Sequence, residues 1–194
     1  ARAAVTELLE TGRKYLGQLD LNIRSPKVWE FYDQTLQALA GYGADIVRLD
    51  AFAYAPKTPG KRNFLNVPET WELLARVNAL AQAKNLTLLP EIHASYAEKT
   101  YETLHAQGYL CYDFFLPGLL LDALETGDGG ALAAWALEQT EKGIRTVNML
   151  GCHDGIPLLD LKGLLPEARI ESLIATVVRR GGMVKDLHGQ KNVY

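Results

Sequence analysis

Along the chain, short apolar runs with polar residues at alternate positions take turns with longer stretches whose apolar residues recur every three or four positions. These are the periods of strand and helix. Ser25-Pro26 offers a capping hydroxyl and a first-turn proline. From Lys27 to Ala40, Val28, Phe31, Leu36 and Leu39 fall at helical spacing, and Gly41 and Gly43 stop the run. Asp45 to Phe52 (DIVRLDAF) then reads as a strand. A loop from Ala53 to Val67 carries two prolines and a glycine, after which Pro68 opens a helix through Trp71, Leu74, Val77 and Leu80 that closes at Lys84-Asn85. The alternation continues with a strand at Leu86–His93, a short helix at Ala97–Ala106 and a strand at Tyr109–Leu116. Helical stretches follow near Leu119–Leu124 and Gly130–Glu141, then a fourth strand at Ile144–Asp154. A last helix from Pro166 to Arg180 ends at Gly181-Gly182 with cations in its final turn, as the helix dipole favours.

Repeated β-loop-α units of this length predict an α/β fold with a parallel sheet, either open and doubly wound or closed as a (β/α)8 TIM barrel. The barrel is preferred on two grounds. No glycine-rich phosphate loop follows any strand. Charged residues also gather at the C-terminal ends of three strands, where barrels build their sites. A barrel needs eight strands and about four are visible, so residues 1–194 are expected to be part of a catalytic domain. The chain opens at Ala1 without a methionine, which fits a piece of a longer protein.

Composition narrows the function classes. A hydrophobic content of 48% supports a sizeable core. A formal charge of -3 argues against nucleic acid as the main partner. Arg169, Arg179, Arg180, Lys185 and Lys191 read as a helix end and a solvated loop. No run approaches the roughly 18 apolar residues of a membrane span. The two cysteines, Cys111 and Cys152, fit neither a disulfide framework nor a zinc site and suggest a reducing, cytoplasmic setting.

Candidate chemistry lies at the strand ends. Arg48 and Asp50 share one face of their strand, so a guanidinium would favour the ionised carboxylate that a nucleophile requires. The same pair is equally readable as a brace of the barrel. Glu91 and His93 repeat the spacing on the next strand, and Pro90 should end the pairing there. With Leu88, Leu89 and Ile92 as neighbours, Glu91 is expected to have a raised pKa suited to a general acid; a salt-bridged rim residue is the alternative. His153-Asp154 ends the fourth strand between Gly151 and Gly155. Two histidines and three carboxylates also suggest a metal site, but Arg48 would repel a cation and no His-x-His or His-x3-His spacing occurs. No metal and no cofactor are expected. Two carboxylates, one ionised and one protonated, are the minimal apparatus of retaining glycoside chemistry. Phe52, Tyr54 and Tyr96 are aromatic candidates for sugar faces or for packing.

Asp45–Tyr54 (DIVRLDAFAY), Leu89–His93 (LPEIH) and Met149–Gly155 (MLGCHDG) resemble the strand-4, strand-5 and strand-7 motifs of the α-amylase superfamily. The likeness to its sucrose phosphorylase branch is closer. It extends through Ala55–Phe64 (APKTPGKRNF), Tyr112–Leu121 (YDFFLPGLLL), His153–Pro157 (HDGIP) and Lys162-Gly163-Leu164, nearly the whole chain. The resemblance implies Asp50 as nucleophile, Glu91 as general acid/base and Asp154 as transition-state stabiliser. It implies that Arg48 positions the nucleophile, that His93 and His153 contact sugar or acceptor, and that Tyr54 lies near the site. The implied reaction is a double displacement through a covalent glucosyl-enzyme, with inorganic phosphate as acceptor and α-glucose 1-phosphate as product. A hydrolase or transglycosidase with the same carboxylates, and an inactive barrel fragment, are the alternatives. The family's early strands, inserted domain, eighth strand and C-terminal β-domain are not in this sequence. Met183–Tyr194 (MVKDLHGQKNVY) does not match the acceptor loop of sucrose-specific members, and Asp186 and His188 are read there either as acceptor or phosphate contacts or as a solvated loop.

Overall fold

In the computed structural model, which describes residues 20–187 and 190–193 together with Thr6, helices and short parallel strands alternate. Helix α1 (Pro26–Gly41) begins with its proline in the first turn and is pinned at its start by Trp29, whose indole N–H donates to the Ile23 carbonyl at 2.8 Å. Strand β1 (Ile46–Leu49) follows, and α2 (Glu69–Gln82) buries Thr70, Leu73, Leu74, Val77 and Ala81 on one face. Strand β2 (Thr87–Pro90) lies parallel to β1, with Arg48 opposite Leu89 and Leu49 opposite Pro90. Helix α3 (Thr100–Ala106) leads to β3 (Cys111–Asp113), then α4 (Leu116–Thr126) and α5 (Gly130–Lys142) in succession. Strand β4 (Thr146–Asn148) pairs in parallel with β3. A 3-10 turn (Leu158–Leu161) and α6 (Glu167–Arg179) complete the repeat.

Helix bounds agree with the periodicity to within a few residues, but each strand is shorter than its apolar run. The cause is chemical. Past Leu49, Pro90 and Asn148 the backbone leaves the ladder so that polar side chains can meet at the strand ends; only the Glu91 amide still reaches back, to the Leu49 carbonyl at 3.0 Å. The segment read as a basic loop is instead a hairpin, β5 (Val184–Leu187) with β6 (Gln190–Val193), in which Asp186 stands opposite Lys191. The alternating Val184, Asp186 and Gln190, Asn192 tolerate a ladder that no apolar period announced. His188 lies outside the described residues.

The interior divides in two. One cluster joins α1, β1, α2 and β2 around Leu36, Val47, Leu74, Val77 and Leu88. The other joins Tyr101, Phe115, Leu119, Trp135, Leu158, Leu161 and Ile170 from the elements that follow. Two buried acids brace the second. Asp113, 2% exposed, accepts from the amides of Phe115 and Leu116, from the Trp135 indole and from the Gln139 amide. Asp122 takes a bidentate bond from Arg169 (2.5 and 2.8 Å), one of the cations expected to be solvated. Gly118 of α4 sits so close to the 3-10 turn that a Cβ there would stand 2.5 Å from Leu161 Cδ1 and 3.0 Å from Leu158 Cδ2. No described helix is long and apolar enough to cross a membrane. Cys111 is buried and Cys152 exposed, both as free thiols.

Candidate active site

The parallel register of β1 and β2 carries two acid-bearing ends to the same rim. Arg48 reaches both: one terminal nitrogen pairs with Asp50, and Nη2 lies 3.7 Å from Glu91 Oε1. Between them Ala51 adopts the left-handed conformation (φ 46°, ψ 32°), which costs a non-glycine residue roughly 1 kcal/mol. That turn aims the Ala51 amide at Glu91 Oε2, 2.6 Å away. A strained backbone at a cluster of acids is a common mark of a functional site.

Glu91 is therefore held by charge and by hydrogen bonds, its side chain only 12% exposed. His93 Nε2 lies 3.1 Å from Glu91 Oε1, and His93 Nδ1 lies 3.0 Å from Asp160 Oδ2. The His93 ring stacks on Phe114 at 3.8 Å. Burial opposes a charge on His93, but the bonds to Asp160 and Glu91 outweigh it and push its pKa up to about 10. Burial pushes the Asp160 carboxyl up as well, with His93 pulling the other way. The expected rise at Glu91 does not occur. Its pKa is lowered, first by the His93 hydrogen bond, which together with the Ala51 amide and the charges of His93 and Arg48 overrides its burial. Two of the apolar neighbours that suggested a rise, Leu88 and Ile92, turn into the first core instead.

Arg48, Glu91, His93, Tyr112, Phe114, Met149, Cys152 and His153 line one cavity of ≈ 320 Å³. Asp50 opens on a second space of ≈ 640 Å³ together with Tyr54, Lys57 and Asn63, which shares no lining residue with the first. Tyr54 leans on Phe64 with ring centres 5.0 Å apart and stays half-open. Phe52, by contrast, is buried in the first core, and Tyr96 is committed to the second, stacked on Tyr101 with its hydroxyl donating to Glu138 at 2.6 Å. Neither presents a face to the site.

Asp154 sits in a tight turn closed by paired bonds between Cys152 and Gly155. Among the described residues its carboxylate meets only His153, whose Nε2 is 3.2 Å away, and its side chain is 55% exposed. His153 thus joins the Glu91 cavity, whereas Asp154 is not among the residues that line it. Metal-binding atom types of Cys152, His153 and Asp154 lie within 4.8 Å of one another, all three residues exposed. They are consecutive residues of one turn, and no fourth such group joins them among the described residues. Sequence reading missed Asp160, Tyr112 and Phe114. Only Asp160 carried a signal, a lone acid inside the apolar run Ile156–Leu161.

No protein-family model matches the chain. The chain is 51% identical over 189 residues to a sucrose 6(F)-phosphate phosphorylase of Ilumatobacter coccineus, covering 94% of this chain and 36% of that protein. It is 36% identical to a sucrose phosphorylase of Streptococcus mutans, across 79% of this chain and 31% of that one. The crystal structure of sucrose 6F-phosphate phosphorylase from Thermoanaerobacter thermosaccharolyticum superposes with a TM-score of 0.80 at 32% identity, covering 88% of this chain and 34% of that one. The chain therefore spans about a third of the length of the relatives it matches. The fold, strands and helices in alternation, is that of part of an α/β barrel.

Proposed function

Since the chain is homologous, by sequence and by fold, to a segment of the sucrose phosphorylase-like branch of the α-amylase superfamily, we propose that it forms the middle of a retaining α-glucoside phosphorylase site. On this reading residues 1–194 supply roughly strands 4 to 7 of a (β/α)8 barrel, and the remaining strands and further domains belong to the rest of the protein. The observation that carries the reading is the Arg48 bridge. One guanidinium contacts both Asp50 and Glu91, which favours the close carboxylate pair (roughly 5–5.5 Å) of retaining enzymes over the wider inverting pair.

Asp50 is the nucleophile, tied to Arg48 and open to the larger space beside Tyr54. It attacks the anomeric carbon while Glu91 protonates the leaving oxygen. Asp154 is the third carboxylate, brought to bear on sugar hydroxyls and the oxocarbenium-like transition state when the site fills. Inorganic phosphate then opens the glucosyl-enzyme and leaves as α-glucose 1-phosphate. Arg48, His93 and His153 supply the positive or polar lining against which an anionic acceptor is tolerated. The donor is a small α-glucoside of the kind the relatives' names print: sucrose or sucrose 6F-phosphate.

Incubating the full-length protein with each donor, with and without phosphate, tests this. Glucose 1-phosphate is expected only with phosphate; free glucose at equal rates in both sinks the phosphorylase reading in favour of a hydrolase. The purified 194-residue chain alone should show no turnover, and activity from it would overturn the partial-barrel reading.

A further inference from the structure

Glu91 is offered three donors: His93 Nε2, the Ala51 amide and, at longer range, Arg48. A carboxylate so placed holds no proton at rest, yet a general acid must deliver one. An amide and a guanidinium keep theirs at any working pH. Among the groups that contact Glu91, only His93 has a proton to give, and its far nitrogen is bound by Asp160, whose side chain is mostly buried. We propose that Asp160 is a positioning residue for acid–base catalysis: it keeps His93 Nδ1 protonated, so that Nε2 is the nitrogen that lends a proton to Glu91 and takes it back. This rests on the reading of Glu91 as general acid/base.

The steps balance. In the first half, the Nε2 proton passes to Glu91 and on to the leaving oxygen, the C1–O bond to that oxygen breaks and C1–Oδ of Asp50 forms. His93 is left neutral with Nδ1–H still donated to Asp160. In the second half, the C1–Oδ bond breaks and a phosphate oxygen bonds C1. The P–OH proton goes to Glu91 and returns to Nε2. The Phe114 stack fixes the ring plane, so the two nitrogens keep their separate roles. The groups facing this relay are Arg48 from β1, Tyr112 and Phe114 at β3, Cys152 and His153 of the turn after β4, and Glu98, which acts on Asp160 from the 3-10 turn Tyr96–Glu98.

The test is Asp160→Asn in the full-length protein, with sucrose and sucrose 6F-phosphate against α-glucosyl fluoride, whose leaving group departs without a proton. Turnover of the sugar donor should fall roughly tenfold or more, part of the 10²–10⁴ that acid–base catalysis supplies, with KM little changed. The alkaline limb of the pH profile should move to lower pH, because His93 loses the anion that keeps it charged. Fluoride turnover should hold within about twofold of wild type. Equal loss on both donors, or an unmoved alkaline limb, overturns the proposal. Nitrogen-15 NMR of the wild type gives an activity-independent reading: both His93 nitrogens should be protonated at neutral pH, and raising the pH should leave the Nδ1–H tautomer. A neutral ring at pH 7, or the Nε2–H tautomer, also overturns it. Should Asp160→Asn not fold, the nitrogen-15 reading on the wild type decides by itself: a doubly protonated ring at pH 7 supports the relay and a neutral one sinks it. Wild-type protein that turns over fluoride but fails these tests spares the phosphorylase reading; wild-type protein inert to every glucoside removes both.

Discussion

The end of the β1–β2 pair and the turn after β4 both carry a carboxylate, a histidine and a small residue, yet they differ in how finished they are. At β1–β2 every charged group is answered: Asp50 by Arg48, Glu91 by His93 and the Ala51 amide, His93 by Asp160. At the β4 turn, His153 and Asp154 answer only each other among the described residues. The first region is preorganised for charge that develops in a transition state, the condition under which fixed dipoles and charges accelerate a reaction most. Paired acids also do a different job deeper in the second half: Asp113 and Asp122 are buried, fully answered and hold helices, not substrate.

Substitutions break this contrast in a graded way. Asp50→Asn in the full-length protein should cost at least about a thousandfold in kcat with folding intact, since groups in the chemical step carry several kcal/mol; steady-state kinetics beside a circular dichroism melt decides it, and milder loss would put Asp50 among the braces. Asp113→Ala should do the reverse, leaving four donors, two of them buried, without an acceptor at a cost of about 3 kcal/mol, read by urea unfolding. Acidity separates the regions next. The raised His93 makes its ion pairs fully stabilising below about 6.5, and that stability fades as pH rises through about 10, whereas the lowered Glu91 contributes above the ordinary carboxylate range and loses its contribution on acidification. The stability gap between wild type and Asp160→Asn should therefore narrow as the pH is taken past 10. The smallest effect is expected at Asp154→Asn, whose unfolding free energy should stay within about 0.5 kcal/mol of wild type even as turnover falls. A larger change would mean that the β4 turn is as tightly built as its counterpart.

Much of this could be read from residue order alone, because helix faces and strand ends depend on neighbours. Ser25-Pro26 opened α1, and Arg48, Asp50, Glu91 and His93 were recognisable by two-residue spacing. What failed depended on distant partners. Glu91 is lowered first by His93, two residues on, but His93 is itself charged by an acid 67 residues later, and the amide that adds to the effect on Glu91 lies 40 residues earlier. No local window contains either. For Phe52 and Tyr96 position left platform and packing both open, and burial and the Glu138 bond decide for packing. The hairpin after α6 escaped because its strands alternate no apolar residues.

A missing methyl group sets where a proton can go. Helix α4 approaches the Leu158–Leu161 turn through Gly118, and the leucines that meet it are fully buried, on either side of Asp160. Gly118→Ala would set a Cβ against the ends of both leucine side chains, which must shift to admit it; where the turn shifts with them, the Asp160–His93 bond lengthens without any change to a group at the Glu91 cavity. Its signature should be kinetic: the same downward move of the alkaline limb as Asp160→Asn, in a weaker form, measured on sucrose and absent with the fluoride. The back of α4 is thus the place to test whether packing alone can tune the Asp160–His93 pair.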